Sequence, residues 1–384
     1  MADNNENKVL NVPPLRFPEF TEEWKAEQLD NIATLSKGIG ISKEQLSEDG
    51  EPCILYGELY TKYKSEIIKQ VESKTDINGS KLKRSKANDV IIPCSGETAV
   101  DIATARCVPF DNILFGGDLN VISLHQYDGA FMSYQLNGKR KYDIARVAQG
   151  VSIVHLYGEH LKAIKTYNPT LPEQQKIAKL LSLLDDRIDT QNKIIEDLKK
   201  LKSAISERLF KSVKGFTVLL SDLCDIVKGK QINGENLSDS GNYYVMNGGT
   251  EPSGYYDNYN VEASTISISE GGNSCGYVQF NTSPFWSGGH CYSIQNIADK
   301  VDNMYLYHYL KSNEDAIMKL RIGSGLPNIQ KKDLAMFKII VPKIEWQIKI
   351  STFLSSLERK AEIEERIQNV MQKQKLYLLQ QMFI

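Results

Sequence analysis

Apolar residues recur at alternating steps of three and four between residues 177 and 209. They are Ile177, Leu181, Leu184, Ile188, Ile195, Leu198, Ile205 and Leu209. This spacing is typical of the seam of a coiled coil, and only Gln191 and Lys202 interrupt it. Pro172 ahead of the run favours a helix start, and Gly215 beyond it favours a helix end. The pattern predicts one long helix over residues 171–212.

A second segment near the end of the sequence is a variant of the first, with several residues returning at one constant offset. Gln174, Lys176, Ile177, Leu181, Leu184 and Phe210 recur as Gln347, Lys349, Ile350, Leu354, Leu357 and Phe383. The seam predicted for this segment consists of Ile350, Leu354, Leu357, Ile363 and Ile367, and it is less regular than the first. We predict a second long helix over residues 342–384. Each helix would be roughly 60 Å long at about 1.5 Å per residue.

A long apolar seam needs a partner, and the obvious partner of each predicted helix is the other one. The first helix leads from one globular region to the next, so a second helix that packs back along it makes the pair antiparallel. Two similar units arranged in this way are related by an approximate internal two-fold axis. The seam residues of both helices are therefore predicted to serve helix pairing and partner docking, and two copies of one partner could bind.

The regions before each helix, 1–170 and 213–341, contain short β-rich runs bounded by turn residues, such as 90–94 and 264–269. They share faint landmarks, because Lys37-Gly38 in the first matches Lys228-Gly229 in the second, while most of the intervening sequence differs. The predicted fold class is α+β. We expect two mixed α/β domains separated by two long antiparallel coiled-coil helices, with an internal pseudo-two-fold repeat.

Composition and charge limit the classes of function that this chain could have. With 384 residues, 41% hydrophobic and 24% charged, the chain resembles a soluble globular protein of two domains. The first residues lack the pattern of a signal peptide and no apolar run could span a bilayer, so we expect a cytoplasmic protein with no membrane partner. The six cysteines are scattered and are predicted to be reduced structural thiols. The net charge of −2 lacks the basic signature of a self-sufficient DNA binder.

Motifs for catalysis and cofactor binding are missing from the sequence. It contains no phosphate-binding loop, dinucleotide fingerprint, zinc-protease motif, nucleophile elbow or N-P-P-[YF] tetrapeptide, and its five histidines form no ligand-spaced set. We therefore predict no catalytic residue, no metal site and no cofactor bound by this chain. The glycine pairs in 115–118 and 287–290 are interpreted as tight turns that need positive φ.

Basic residues, with polar and aromatic residues on Gly-rich loops, are the DNA-binding candidates. In the first region they are Lys81, Lys83, Arg84, Lys86, Lys139, Arg140, Lys141, Tyr142 and Arg146. In the second they are Lys228, Lys230, Asn247, Tyr255, Asn273, Lys319, Arg321, Lys331 and Lys332. Any one cluster alone is more simply a solvated face, and the loops could also bind sugars or proteins. Lys139, Arg140 and Lys141 are the strongest candidates for phosphate contacts.

Several of these segments together resemble the specificity (S) subunit family of type I restriction–modification systems. The run 172–189, PEQQKIAKLLSLLDDRID, is similar to the start of the family's central conserved helix, and 347–383 is similar to its distal helix. The opening LRFPEFTEEW at 15–24 and GSGLPNIQKKDL at 323–334 also resemble family segments. One departure is that the Pro-Glu-Gln start, intact at 172–174, is stretched over 342–347 in the second copy. Equal affinity at two partner sites is thereby in doubt.

The resemblance implies a non-catalytic subunit whose two target-recognition domains, 1–170 and 213–341, each read half of an asymmetric, split target in double-stranded DNA. The long helices would hold these domains apart and dock two methyltransferase subunits, and two restriction subunits could join. The partners would use S-adenosylmethionine, ATP and magnesium. The first alternative is a coiled-coil adaptor whose globular ends bind proteins, and the second is an enzyme with a motif too divergent to recognise.

Overall fold

The computed structural model describes residues 10–78, 81–323, 325 and 327–384. Residues 1–9, on which the expected lack of a signal peptide rests, lie outside that part of the chain, as do Ser324 and Leu326 of the segment 323–334. The chain forms two compact units. The first consists of residues up to Asn192 together with Ile367–Ile384, and the second is Lys193–Arg366. The division runs through both long helices, so each helix contributes to both units.

The first unit contains most of the short strands. They are β1 (Lys25–Gln28), β2 (Ala33–Lys37), β3 (Glu51–Ile54), β4 (Lys74–Thr75), β5 (Lys83–Arg84), β6 (Asp89–Pro93), β7 (Ser95–Gly96), β8 (Arg106–Val108), β9 (Leu114–Phe115), β10 (Leu119–Leu124), β11 (Val154–His155) and β12 (Lys165–Asn168). The helices are α1 (Leu29–Ile32), α2 (Glu58–Thr61), α3 (Ala99–Ile102), α4 (Gly129–Asn137), α5 (Lys141–Val147), α6 (Gly158–Lys162) and the start of α7 (Leu171–Ser212), with a 3₁₀ turn at Lys43–Gln45.

The core of the first unit lies between an antiparallel sheet, in the order β2-β10-β6-β8, and helix α4. Strand β6 is buried along its whole length, which explains why its sequence is mostly a continuous apolar run. Val90 and Ile92 of β6 share one cluster with Met132 and Leu136 of α4. A second sheet, β4-β3-β9-β5, extends the unit and contains one parallel pair, β3 with β9.

The second unit repeats this plan with fewer elements. Its strands are β13 (Phe216–Leu219), β14 (Asp225–Lys228), β15 (Tyr243–Met246), β16 (Tyr255–Tyr256), β17 (Thr265–Ser269), β18 (Val278–Asn281), β19 (Trp286–Ser287), β20 (Cys291–Gln295) and β21 (Lys338–Val341). Its helices are α8 (Asn303–Ser312), α9 (Glu314–Met318), α10 (Lys331–Ala335) and most of α11 (Ile344–Gln381), with 3₁₀ turns at Leu220–Asp222 and Gly234–Asn236. The antiparallel sheet β14-β20-β17-β18 packs against α8, with Ile266, Ile268, Leu306 and Leu310 in one core.

The repeated phenylalanines close equivalent parts of the two cores. Phe383, from the last residues of the chain, packs edge-on against Trp24 of the first unit, with 6.4 Å between ring centres. In the second unit Phe210 packs edge-on against Tyr305 and Tyr309, at 5.7 and 5.2 Å. Each unit is therefore completed by the end of one long helix, which explains why this residue recurs in both copies.

Within each unit the two long helices run antiparallel. In the second unit Lys202 pairs with Glu358 at 2.6 Å and Lys199 pairs with Glu365 at 2.5 Å, so a step back along α7 is a step forward along α11. In the first unit Asp185 pairs with Lys375 at 2.6 Å and Asn192 contacts Gln368. The antiparallel direction predicted from the chain order is thus present in both units.

The seam of α11 differs from the prediction. Ile363 and Ile367 are 46% and 39% exposed, and so neither forms part of the buried seam. The seam keeps its alternating three- and four-residue steps but is continued by Gln368, Met371 and Lys375, of which Met371 is buried. Apolar periodicity missed this because polar side chains with a partner across the seam occupy core positions. Gln191 and Lys202, which interrupt the apolar pattern of α7, are also polar residues at seam positions. Gln191 is buried, and Lys202 pairs with Glu358.

The remaining seam residues face inward. Ile177, Leu181, Ile188, Ile195, Ile350 and Leu354 are buried, and Leu184, Leu198, Ile205, Leu209 and Leu357 are half-buried. All six cysteines are buried free thiols. Burial raises the pKa of Cys107 to about 12, which suppresses the reactive thiolate. Among the described residues, no helix combines the length and the apolar character needed to cross a membrane.

Candidate nucleic-acid interface

The first basic cluster lies around β5, and one of its members is already paired. Arg84 donates two hydrogen bonds to Glu51, with Nη1–Oε2 at 2.6 Å and Nη2–Oε1 at 2.9 Å. This bidentate pair compensates the charge of the guanidinium. Lys81 and Lys86 are exposed, and Lys83 is half-buried in the strand. Lys81 and Lys86 are therefore better candidates for a phosphate contact than Arg84, because the charge of Arg84 is already balanced by Glu51.

Arg140, a predicted phosphate contact, is tied to the end of the chain. Its Nη2 donates a hydrogen bond to the Ile384 carbonyl oxygen at 3.0 Å, and its Nη1 lies 3.1 Å from Asp143 Oδ2. Its guanidinium carbon lies 5.5 Å from the centre of the Tyr167 ring. These contacts give Arg140 a structural role in the first unit. The sequence could not indicate this, because the contact with Ile384 joins residues 244 positions apart.

The other residues of this cluster have mixed surroundings. Lys139 and Tyr142 are exposed, and Arg146 pairs with an aspartate on its own helix at 3.4 Å. Lys141 lines a cavity of about 380 Å³ together with Arg106. Burial lowers the pKa of Lys141, and the charge of Arg106 lowers it further. Lys139 is thus the most exposed of the three predicted phosphate contacts, and its role stays a prediction.

The candidates of the second unit lie on several different elements. Lys230, Asn273, Lys319, Arg321, Lys331 and Lys332 are exposed, and Tyr255 is half-buried in β16. Two further candidates belong to one cluster. Asn247 Oδ1 accepts a hydrogen bond from the His290 backbone N–H at 3.1 Å, and Lys228 contacts a carboxylate beside that histidine.

This cluster lies where three strands of the main sheet end. Strand β14 ends at Lys228, β17 ends one residue before Glu270, and β20 begins one residue after His290. Lys228 of β14 is paired with Tyr292 of β20, which places these residues together at the same end of the sheet, where the three strands start or stop. We call Lys228, Glu270, His290 and Tyr292 the second rim.

The buried carboxylate of Glu270 organises the second rim. Lys228 Nζ lies 2.6 Å from Glu270 Oε1, and the Tyr292 hydroxyl donates a hydrogen bond to the same oxygen at 3.1 Å. His290 Nδ1 lies 3.7 Å from Oε2. Glu270 is only 7% exposed, whereas the side chain of Lys228 is 53% exposed. An exposed ammonium group is thus held by a carboxylate in the protein interior.

The first unit has an equivalent edge with different side chains. Lys37 ends β2 and is paired with Asn120, as Lys228 is paired with Tyr292. Cys94 follows β6 in the position that Glu270 takes after β17. Asp118 precedes β10 as His290 precedes β20. We call Lys37, Cys94, Asp118 and Asn120 the first rim.

Backbone contacts show that the two rims are equivalent. The Cys94 carbonyl accepts a hydrogen bond from the Leu156 backbone N–H at 2.7 Å, and the Glu270 carbonyl accepts one from Ile329 at 2.8 Å. Asn120 Nδ2 donates a hydrogen bond to the Leu156 carbonyl oxygen at 3.0 Å, and the Tyr292 hydroxyl oxygen lies 3.0 Å from that of Ile329. The frame is the same, while the partners of the rim lysine differ.

The glycines near the rims allow close backbone approach. A Cβ atom on Gly38 would lie 1.9 Å from the Gly116 carbonyl oxygen, and one on Gly229 would lie 2.1 Å from that of Gly288. The predicted positive φ is absent from both glycine pairs, and in 115–118 it falls on Asp118, at 57°. Turns are present at 117–118 and 289–290, so the turn interpretation holds and only the expected positive φ of the glycines is wrong. The first glycine of each pair is also close to its neighbours, since a Cβ atom would lie 2.8 Å from Leu55 on Gly116 and 2.4 Å from Asn247 on Gly288.

Sequence reasoning missed Lys37, Glu270 and His290 as site residues. A signal for Lys37 was present, because Lys37-Gly38 matches Lys228-Gly229. No such signal marked Glu270, since Cys94 takes its place in the other copy. Within the described ranges, no group of three or more His, Cys, Asp or Glu side chains could hold a metal ion.

The family model for the type I restriction modification DNA specificity domain matches this chain twice, over residues 21–200 and 215–373. The chain belongs to this family. The membership predicted from the helix repeat is therefore confirmed, and the two matches explain why both units of this specificity-domain protein share one plan.

Curated relatives are also named specificity subunits, a non-catalytic role that agrees with the prediction for this chain. A putative type I specificity subunit of Mycoplasma genitalium is 34% identical over 122 residues, or 31% of each chain. One of Mycoplasma pneumoniae is 32% identical over 145 residues, or 37% of this chain and 38% of the relative. The chain thus matches about a third of the length of these two relatives, 31% of one and 38% of the other. The MjaVIII specificity subunit of Methanocaldococcus jannaschii is 24% identical, covering 94% of this chain and 91% of the relative.

Solved structures share the fold. The crystal structure of a type I S subunit from M. genitalium matches with a TM-score of 0.69 at 19% identity, covering 97% of this chain and 99% of the other. A chain from a study of complex assembly and conformational transition of a type I system matches with a TM-score of 0.58 at 15% identity, covering 95% and 98%. The predicted fold class, two mixed domains with long helices and an internal repeat, is confirmed. The DNA-binding candidates of this specificity-domain protein stay predictions.

Proposed function

We propose that this chain is the DNA specificity subunit of a type I restriction–modification complex and reads an asymmetric, two-part target in double-stranded DNA. The observation that carries the proposal is the double match to the specificity-domain family, combined with two rims that share a backbone frame but differ in side chains. Two unlike readers on one frame favour two unlike half-sites. The subunit would work in the cytoplasm, where its DNA target lies.

The long helices would dock the catalytic partners. They carry large apolar side chains that are exposed to solvent, which is unusual unless a partner covers them. On α7 they include Leu180, Leu183, Ile194 and Leu201, and on α11 they include Ile348, Phe353, Ile363, Ile367, Val370, Leu376 and Tyr377. Two methyltransferase subunits would bind here, and two restriction subunits could join through them. Ile363 and Ile367 thus keep a proposed docking role although they are outside the seam.

Chemistry would belong to those partners, which would bind S-adenosylmethionine, ATP and magnesium. The near-neutral charge of this chain fits such a division of labour, because partner subunits that surround the DNA can supply many of the phosphate contacts that dominate affinity. This subunit would supply the base contacts that specify the sequence.

Methylome sequencing of the host with and without this gene tests the proposal. We expect one methylated motif, made of two short specific blocks and a spacer of fixed length, to disappear when the gene is deleted. Unchanged methylation would contradict the proposal. Inserting one helical turn into both α7 and α11 should lengthen the spacer by about one or two base pairs, since about 34–36 Å of DNA is one turn.

The adaptor alternative makes a different prediction. A gel-shift experiment with the chain and its methyltransferase subunit should show a DNA complex that competitor DNA carrying the target displaces and a scrambled competitor does not. A protein complex that forms without any DNA preference would favour the adaptor.

A further inference from the structure

Lys228 of the second rim is an exposed lysine with a fixed position. Its Nζ is held 2.6 Å from Glu270 Oε1, although more than half of the side chain is accessible to solvent. An ammonium group has three N–H donors. One is directed at Glu270, and the remaining donors have no other hydrogen-bond partner among the described residues and are accessible on the exposed side. Most surface lysines lack such a restraint, because holding a long flexible side chain costs rotamer entropy.

Glu270 is built into the protein rather than placed on its surface. Its Oε1 also accepts a hydrogen bond from the Tyr292 hydroxyl at 3.1 Å, and its backbone N–H and carbonyl are bound by His290 and Ile329. Its Oε2 is buried without a hydrogen-bond partner among the described residues. A buried carboxylate with an unused oxygen is costly, and the charge of Lys228 offsets part of that cost.

The charges of the second rim do not suit a phosphate contact. Lys228 and Glu270 neutralise each other, so the pair has little net attraction for a phosphate group. Phosphate contacts rely on positive charge and tolerate mobile side chains, whereas base readout relies on donors and acceptors at defined positions. A fixed donor of low net charge is therefore better suited to reading a base edge.

We propose that Lys228 reads a guanine in the half-site bound by the second unit, and that Glu270 is the positioning residue that fixes it. Guanine presents two acceptors in the major groove, N7 and O6, and lysine is a common partner for them. The proposal rests on the DNA-reading function proposed above and specifies one residue and one base of it.

The first rim shows what Glu270 changes. Lys37 occupies the position equivalent to Lys228. The position equivalent to Glu270 is occupied by Cys94, which has no carboxylate to pair with the lysine. The Nζ of Lys37 instead lies 5.9 Å from the centre of the Tyr157 ring. The same lysine on the same frame thus has a different restraint, and we infer that the two rim lysines read their half-sites differently.

A selection experiment with the purified complex of the chain and its methyltransferase subunit tests this proposal. The complex is mixed with a pool of DNA molecules in which the first half-site and the spacer are fixed and the second half-site is randomised. Bound or methylated molecules are sequenced for the wild type and for Lys228→Met, Glu270→Gln and Lys300→Met. Lys300 is an exposed lysine of the same unit, lies outside the DNA-binding candidates and is the matched control. Thermal unfolding of each variant checks that it remains folded.

We expect Lys228→Met to reduce discrimination at one guanine position by about 10- to 100-fold, the range of a good base contact, and to leave the other positions unchanged. Glu270→Gln keeps the shape but frees the lysine. It should relax the same position while binding to unrelated DNA stays equal or strengthens, because one negative charge is lost. A purely structural role for Glu270 would instead weaken all sequences together. Lys300→Met should leave base preference unchanged.

Two failures can be told apart. If the wild-type complex selects no bipartite motif, the proposed function itself fails. If it selects such a motif but Lys228→Met weakens all sequences equally or changes no preference, Lys228 is not a base reader and the inference fails alone. Should Glu270→Gln unfold, the pattern of Lys228→Met decides. Should Lys228→Met unfold because Glu270 loses its partner, the double variant Lys228→Met with Glu270→Gln, which leaves no unpaired buried charge, decides in its place and should show the same loss of discrimination at one guanine position.

Discussion

Gln174 holds the start of helix α4 through the backbone of Asp128. Its Oε1 accepts a hydrogen bond from the Asp128 N–H at 2.9 Å, and its Nε2 donates one to the Pro169 carbonyl oxygen at 2.8 Å. In the second unit Gln347 makes the same two kinds of contact, with the Asp302 N–H and the Pro342 carbonyl oxygen, both at 2.8 Å. One glutamine at the start of each long helix therefore joins that helix to the core helix beside it.

Replacing these glutamines should destabilise the unit in which each lies. Gln174→Ala leaves a backbone donor and acceptor unpaired in a buried place, which costs about 1–3 kcal/mol. The matched control is Gln175→Ala, since Gln175 is exposed on the same turn and should change stability by less than about 0.5 kcal/mol. Urea unfolding of both variants measures the difference. Equal midpoints would show that the contacts contribute little.

The glutamines illustrate why much of the fold could be predicted from the sequence. Residues with a duplicated structural task, such as Gln174 with Gln347 and Phe210 with Phe383, stay recognisable at one offset. The repeat therefore indicated the helices and the two-unit plan. Ile363 was misassigned because apolar periodicity cannot detect a seam position filled by a paired polar side chain.

The candidate site was less predictable, because it depends on contacts between distant segments. Lys228 and Glu270 are 42 positions apart, and the first rim offers Cys94 rather than a second glutamate. Arg140 lies in a basic run of the sequence, but its contact with Ile384, 244 positions away, gives it a structural role that the sequence does not reveal. Side chains that distinguish one unit from the other do not recur, so a repeat gives no signal for them.

The ion pair between Lys375 and two acidic residues should be critical for the first unit. Its Nζ lies 2.6 Å from Glu66 Oε2 and 2.6 Å from Asp185 Oδ1, and only 16% of the lysine side chain is exposed. Burial opposes the charge on Lys375, but the two carboxylates outweigh it and raise the pKa. Lys375→Met would leave both acids buried without their partner, which should cost about 3–5 kcal/mol.

The control for this variant is Lys373→Met, an exposed lysine on the same helix, which should change stability by less than about 0.5 kcal/mol. Urea unfolding at neutral pH separates the two. The loss caused by Lys375→Met should shrink at acidic pH, because protonation removes the unpaired charges. If both variants unfold at the same urea concentration, the ion pair does not stabilise the unit.

His308 should make the stability of the second unit depend on pH. It is 2% exposed, its Nε2 lies 2.8 Å from Ser355 Oγ, and burial lowers its pKa from 6.5 to about 4. Glu358 and Asp302 favour the proton, while Lys202 opposes it. Between pH 6.5 and about pH 4, His308 is protonated in the unfolded chain but neutral in the folded chain. This histidine's contribution is therefore complete above pH 6.5 and lost as the pH falls to about 4.

The size of this effect is about 3 kcal/mol, from about 1.4 kcal/mol per unit of pKa shift. Unfolding free energies of the wild type and His308→Gln, measured between pH 7 and pH 4, should converge or cross as the pH falls. His125→Gln is the control for the substitution itself, because His125 is exposed and lies in the first unit. A profile for His308→Gln parallel to that of the wild type would rule out the titration of this residue as the cause.

The helix repeat also predicts that a fragment of residues 1–212 pairs with itself. Asp185 and Glu358 occupy equivalent positions, as do Lys202 and Lys375, and the protein pairs Asp185 with Lys375 and Lys202 with Glu358. In two identical fragments each Asp185 would meet Lys202 of the other copy, so both ion pairs would form again. The fragment should be a dimer that, with the methyltransferase subunit, recognises a palindromic split site built from the first half-target.

Charge reversal tests this pairing directly by light scattering. Lys202→Asp places acidic residues opposite each other at both contacts and should weaken the dimer by roughly 100-fold or more, since each contact loses an attractive pair. Adding Asp185→Lys restores opposite charges and should recover most of the affinity. A fragment that is monomeric before any substitution would refute self-pairing. A double variant as weak as Lys202→Asp would show that these two positions do not meet, and the register of the repeat would then differ between the fragment and the whole chain.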